Sequence, residues 1–386
     1  MNEEPSHYAL NPSSDLVKRA SKVVKSESAR KGEPKFHMTE EMRRLSTPWS
    51  VSQVRAEQIQ AIDLPAGVIL DAAAGSGVQL IALTTGLKRP GLAIELDPNI
   101  GLLCAANMQI NGDGGDLQRT MDRVLIGDGT DAENAIVAYW NSLRDAGTRA
   151  HPPIGMLHLD PARPRDAQRH EIDEMEPAIG PLLKAWANHL ETGPRGPAIL
   201  LDLSPRLNED QRSLVDAVIE TTFPGIRRTW EYLSQGGGRI DRLSVWIGSL
   251  SSKEPSRCIR MGKKKIMATI EGKVAESELV SMSSPPPFGA HLTIVDPALV
   301  QSGLHEAWLD RALPENAGHS WLKLEGRRPL LISTDPLIRD DEIDAFVIAS
   351  GEIVQHRLTP PELHTIEPVS YTHLRAHETV LDLVCR

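Results

Sequence analysis

Four acidic residues stand where acids can do chemistry: Asp71, Glu95, Asp128 and Asp160, each at or just beyond a short apolar run. The first run, Val68-Ile69-Leu70, opens into Asp71-Ala72-Ala73-Ala74-Gly75-Ser76-Gly77, a loop of small residues ahead of a helix-forming stretch. Small side chains let a ligand approach the backbone closely, and the free N–H groups at the start of the next helix suit a polar group. Asp71, Ala73, Gly75 and Gly77 are therefore candidate cofactor contacts. Glu95 ends the next run about 20 residues after the loop, where an acid accepts hydrogen bonds from two ribose hydroxyls. Asp128, in Ile126-Gly127-Asp128-Gly129, is placed for an adenine ring or its amino group. Asp160-Pro161-Ala162-Arg163 closes the fourth run, where a reacting group would sit, so Asp160 and Pro161 are the candidate catalytic pair. One acid at a strand end is commonly a helix cap. Four in order, all at strand carboxyl ends, form the ligand rim of an open parallel sheet.

The elements that must hold these residues alternate. Strand-like runs fall at 68–70, 91–95, 123–126, 155–160 and 198–203, with helical stretches at 78–86, 100–111 and 177–190. Short apolar strands between amphipathic helices predict a parallel sheet covered on both faces. A helix over 211–221 follows, then runs at 227–233 and 242–247 around Gln235-Gly236-Gly237-Gly238, which predicts a hairpin closing the sheet. Residues 38–62 read as one amphipathic helical stretch leading into an α/β domain over 38–250. Residues 1–37, rich in Ser, Lys and Glu, read as a mobile polar and basic arm. Residues 251–287, ending in Ser284-Pro285-Pro286-Pro287, read as a linker region, and 288–367 as a smaller α/β module. The stretch 370–386 breaks this pattern. It resembles a tail that recurs on unrelated open reading frames from assembled environmental DNA, and His373 and His377 within it are given no role.

At 386 residues the chain is long enough for roughly two cores. Three cysteines with no CxxC argue against a disulfide scaffold, a zinc finger or an iron–sulfur site, and fit a reducing, cytoplasmic setting. No apolar run approaches the roughly 18 residues of a membrane span, so no membrane is expected. His151, His158, His170 and His189 lack ligand spacing, so no metal is expected. The net charge of -10 tells against simple polyanion binding, yet local basic surface decides phosphate affinity. Two basic runs stand out: Lys18, Lys22, Lys25, Arg30, Lys31 and Lys35, and Arg257, Arg260 and Lys263 to Lys265. Each is as readily a solvated face.

S-adenosylmethionine is the expected cofactor, with a dinucleotide as runner-up; the dinucleotide fingerprint GxGxxG would carry a third glycine where this chain has Leu80, which ranks it lower. Asp71 to Gly77, Glu95, Asp128 and Asp160-Pro161 resemble the ordered motifs of Rossmann-like class I methyltransferases. More narrowly, residues 40–366 resemble a group of those enzymes with a C-terminal THUMP-like domain. Glu57-Gln58-Ile59, the loop with Asp71, Asp160-Pro161-Ala162-Arg163 and His291-Leu292-Thr293-Ile294-Val295-Asp296-Pro297-Ala298 carry that resemblance. The resemblance implies an S-adenosylmethionine-dependent methyltransferase acting on RNA. Pro164 departs from the group, where a second arginine often follows. In methyltransferases with Asp-Pro-Pro-aromatic, the acid accepts from an exocyclic amine and the aromatic stacks on the base; here Ala162 and Arg163 take the last two places. Arg163 and Arg165 are candidate phosphate contacts, or surface arginines paired with Asp166 or Glu171. A cysteine adduct needs an activated thiolate, and neither Cys104 nor Cys258 is placed for one. Asp202 ends the fifth run and either lines the pocket or, preferably, caps the next helix. Trp230, Trp246 and Trp308 read as core. Methylation of a small molecule or protein, and cofactor or RNA binding without turnover, are the competing readings.

Overall fold

A computed structural model describes residues 6–112, 120–162, 172–275, 279–281, 286–323, 329–355 and 384–385. The chain divides into two compact units, Met1–Thr229 with Leu243–Lys253, and Trp230–Arg242 with Glu254–Arg386. In the first, the strands used below are β1 (Tyr8–Leu10), β2 (Val68–Asp71), β3 (Gly91–Glu95), β4 (Arg123–Ile126), β5 (Ile154–Leu159), β6 (Gly196–Leu203) and β7 (Arg242–Gly248). They lie in the order β1-β4-β3-β2-β5-β6-β7. Strands β2 to β6 are mutually parallel, while β1 runs antiparallel to β4 and β7 antiparallel to β6. Their apolar runs are continuous because helices cover both faces; every residue of β2 and β5 is buried. The strand order reverses between β2 and β5. The crevice outside the carboxyl ends of those two strands is where an open α/β sheet takes its ligand.

The helices follow from local chemistry. Helix α3 (Val78–Leu87) starts at Gly77, and its first seven residues are all buried, as suits an element sandwiched against the sheet. Helix α4 (Pro98–Asn111) is opened by Asp97, whose Oδ1 accepts from the Asn99 N–H at 2.7 Å, with Pro98 pre-setting the first helical φ. The single helix expected over 38–62 is two, Glu40–Leu45 and α2 (Trp49–Gln60). Pro48 divides them: it supplies no N–H and disfavours a helical Thr47.

The arm expected over 1–37 is instead built structure from Ser6 onward. Tyr8–Leu10 pairs with β4 as an edge strand. Helix α1 (Ser14–Val23), N-capped by Ser13, sets Ala20 against Leu103 and Ala106 of α4. Ser26–Ser28 and Lys35–His37 form a two-stranded sheet. Leu16, Phe36 and Met38 are 6%, 5% and 7% exposed. Burying three side chains of that size contributes about 5–9 kcal/mol before the ordering cost of the chain.

The second unit is also ordered where a linker is expected. Ser256–Met261 pairs in parallel with Arg228–Ser234 from Trp230 onward, and antiparallel with Ile266–Gly272. Cys258, Ile259 and Met261 are buried there. A further sheet runs in the order Val280–Ser281, His319–Lys323, Leu330–Ser333, His291–Val295, Val347–Gln355 and Val384–Cys385. Its core joins Leu292, Leu322, Leu330 and Ile353. The stretch His291 to Ala298 is a strand, a cap and a helix start: Asp296 Oδ1 accepts from the Ala298 N–H at 3.0 Å. Trp246 and Trp308 are core residues, as expected, both 0% exposed; Trp230 is half-buried. Among the described residues, no helix is long and apolar enough to cross a membrane.

Candidate functional site

The loop after β2 is pinned from three sides. The Ala72 N–H donates to His158 O at 3.2 Å, the Ala74 N–H to Ile94 O at 3.0 Å, and the Gly77 N–H to Ala74 O at 2.8 Å. Gly75 and Gly77 have φ of +52° and +76°, which only glycine adopts without strain. A Cβ on Gly77 would meet Cys104 Sγ at 2.8 Å, whereas one on Gly75 would meet nothing within 4 Å. The backbone at Gly75 is therefore open to space on its Cβ side. Asp71 Oδ1 accepts from the Ala73 N–H at 3.3 Å. Glu95 lies across the loop: Oε2 accepts from the Gly75 N–H and Oε1 from the Asp97 N–H, both at 3.0 Å. Burial pushes the Glu95 carboxyl above its ordinary range, opposed by those two hydrogen bonds. Asp71, Ala73, Gly75, Gly77 and Glu95 thus form one constellation.

Asp128 stands at the neighbouring strand end, aligned by the Gly127 N–H donating to Glu95 O at 3.1 Å. Its Oδ1 accepts from both N–H and Oγ1 of Thr130 at 2.8 Å, and the residue is exposed. The turn packs on the start of the glycine loop, since a Cβ on Gly129 would lie 2.2 Å from Ala72 O. Asp160 is half-buried and Pro161 buried, one and two residues past the end of β5. The Ala162 N–H donates to Glu176 O at 2.7 Å, returning the chain over this turn. Arg163 and Arg165 lie outside the described residues.

Sequence reasoning missed what lies beneath. His158, on β5, sits with its Nδ1 2.9 Å from Asp71 Oδ2 and its Nε2 3.2 Å from Asp202 Oδ2. The same Asp202 oxygen accepts from Arg55 Nη1 at 2.5 Å and Gln79 Nε2 at 2.8 Å. Arg55 Nη2 reaches Ser244 Oγ at 3.0 Å. Asp71, His158, Asp202 and Arg55 are all 2% exposed or less. Burial alone would lower the His158 pKa, but the Asp71 charge and the hydrogen bond to Asp202 raise it to about 10. Burial would raise Asp202, yet the Arg55 charge and the His158 hydrogen bond hold it well below the usual carboxylate range. Two buried cations thus balance two buried anions directly behind the loop. The preferred cap reading of Asp202 is overturned: Asn208 caps helix Glu209–Thr222 through a capping box with Gln211. Burial pushes the Cys104 and Cys258 thiols well above their ordinary range, so neither is a thiolate nucleophile at neutral pH.

No protein-family model matches this sequence, and no curated protein does. Solved structures do. A candidate methyltransferase from Porphyromonas gingivalis W83 overlays 91% of this chain and 75% of its own, with a TM-score of 0.53 at 15% identity. An O-methyltransferase from Bacillus cereus, solved with S-adenosylhomocysteine, overlays 62% of this chain and 93% of its own, with a TM-score of 0.33 at 14% identity. A candidate methyltransferase from Streptococcus mutans, also solved with that product, overlays 53% and 98%, with a TM-score of 0.34 at 13% identity. The first likeness, with the strand order above, gives the fold. It is the Rossmann-like sheet of the class I methyltransferases, mostly parallel and carrying an antiparallel strand, in a chain that also holds a smaller C-terminal sheet.

Proposed function

We propose that this chain transfers the methyl group of S-adenosylmethionine to RNA. One observation carries the cofactor reading: the Glu95 carboxylate, held by the Gly75 N–H at 3.0 Å, faces a left-handed Gly75 beside open space. That donor and acceptor set fits the cofactor, with Asp71 to Gly77 to hold its amino-acid part, Glu95 its ribose and Asp128 its adenine. The bound cofactor supplies a methyl already activated by its sulfonium. The protein's task is alignment and exclusion of water, which supply up to about 7–11 kcal/mol in ideal intramolecular models. Asp160, at the end of the strand paired with β2, accepts a hydrogen bond from the acceptor, and Pro161 stiffens that turn. Arg163 and Arg165 hold RNA phosphate. The resemblance of residues 288–367 to THUMP-like domains supports RNA as the acceptor, in a cytoplasmic setting.

Calorimetric titration with S-adenosylmethionine tests this reading. Glu95→Ala should weaken binding about tenfold or more, the roughly 1.5–3 kcal/mol of a charged hydrogen bond. Labelled cofactor with bulk tRNA should then give methyl incorporation that Asp160→Ala abolishes. A folded wild-type chain that binds no cofactor would sink the proposal.

A further inference from the structure

The two basic runs of the sequence part company in the structure. In the C-terminal unit, Arg257 is buried and paired internally, its Nε donating to Glu271 Oε1 at 2.6 Å and its Nη1 to Glu231 Oε2 at 3.1 Å. Arg260 Nε donates to Ala345 O at 3.0 Å and lies 3.7 Å from Asp296. Lys263 to Lys265 alone of that run stay exposed, on a turn. The N-terminal run is the reverse. Ser14 to Arg44 holds nine Lys and Arg against five Asp and Glu, a local +4 in a chain of -10, which leaves -14 for the remainder. All nine cations are exposed. Arg43 pairs with Glu27 at 3.0 Å, but Lys18, Lys22 and Lys25 have no carboxylate partner among the described residues. Helix α1 buries Ala20 against α4 and Leu16 in the main core, which turns Lys18 and Lys22, neighbours at i and i+4, outward together.

This basic module is tied to the glycine loop by one side chain. Asn107 Oδ1 accepts from the His37 N–H at 2.6 Å, while its Nδ2 donates to His37 O at 3.0 Å and Ser76 O at 2.9 Å. Ser46 Oγ also lies 3.3 Å from Ser76 Oγ. We propose that the exposed Lys and Arg face of residues 18–44 holds the phosphate backbone of the nucleic-acid acceptor. This rests on the reading of RNA as acceptor given above. Lysines on an open face suit the task, because backbone contacts act by charge and counterion release and need no shaped pocket. The local +4 stands against -14 for the rest of the chain, so this segment is the part whose net charge favours a polyanion.

The test compares the full chain with a Lys18→Ala/Lys22→Ala/Lys25→Ala variant, titrating bulk tRNA over a range of KCl. Three lost phosphate contacts should make the slope of log K against log salt shallower by about 2–3, with binding roughly 100-fold weaker at about 0.1 M salt. A Lys263→Ala/Lys264→Ala/Lys265→Ala control should move neither by as much. Equal slopes, an equal loss in the control, or no tRNA binding by the wild type would overturn the proposal. So would loss of binding to phosphatidylglycerol vesicles with tRNA affinity intact, which would assign the face to a membrane surface. S-adenosylmethionine calorimetry on both proteins separates the two readings. No cofactor binding beside a changed tRNA slope sinks methyl transfer and keeps the face; normal cofactor binding beside equal slopes sinks the face alone.

Discussion

Arg55 is the buried cation that holds Asp202 ionised, and Arg55→Met should show how firmly. The two groups touch at 2.5 Å with both side chains at 3% exposure or less. Charge centres about 4 Å apart attract by about 4 kcal/mol at an effective dielectric of about 20. Methionine fills similar volume, so packing survives while the quartet of Asp71, His158, Asp202 and Arg55 gains an uncompensated negative charge. The expected loss is about 3–5 kcal/mol, as for other buried pairs stripped of one partner. Urea unfolding at neutral pH, followed by tryptophan fluorescence, measures it. The companion Arg55→Met/Asp202→Asn variant removes both charges, so its loss should fall short of the sum of the single losses by about 2 kcal/mol or more. A single-variant loss under about 1 kcal/mol, or strict additivity, would refute the claim that the four residues stand as a balanced unit.

Three further outcomes follow from the same geometry. His158 has a folded-state pKa raised to about 10, so its contribution is complete below the unfolded value near 6.5 and is lost as pH climbs through about 10; denaturation midpoints should fall over that window in the wild type and stay flatter in His158→Gln. Gly75→Ala should cost only the roughly 1–2 kcal/mol of a left-handed non-glycine residue while reducing cofactor affinity; Gly77→Ala should cost more, because its Cβ also meets Cys104 Sγ at 2.8 Å. Thermal melts beside calorimetry would distinguish them. Asn107→Ala strands the His37 N–H and C=O and the Ser76 C=O, so a loss of at least about 2 kcal/mol is expected, with hydrogen exchange rising first in residues 24–47.

The parallel core was legible because its strands are buried on both faces and read as plain apolar runs between small-residue turns. Glu95 was legible for the same reason: it ends such a run, and its loop partner Gly75 is 20 residues away. Arg55 and Asp202 are 147 residues apart, and His158 and Asp71 are 87 apart. Pairing over such distances leaves no local pattern, so Asp202 resembled a cap and His158 a stray histidine. Ser256–Met261 was hidden differently. Its Arg257 is neutralised by Glu231 and Glu271, side chains on the two flanking strands, and the strand presented itself as basic surface in a linker. Tyr8–Leu10 and Ser26–Ser28 are three residues each, too short for any period to appear.

The edge strand Tyr8–Leu10 bears on the order in which the protein can be made. His7, buried at 3% exposure, donates from Nε2 to Asp128 O at 3.0 Å, a partner 121 residues later. During synthesis this segment, made 121 residues ahead of its partner, must therefore wait, undocked, until β4 has emerged. Until then the outer edge of β3 lacks β4, and afterwards that of β4 lacks its cover, so each in turn is open to pairing with another chain. A bulky N-terminal fusion would prolong that interval. Aggregation of nascent chains, more than loss of finished stability, is the vulnerability this late-closing edge creates.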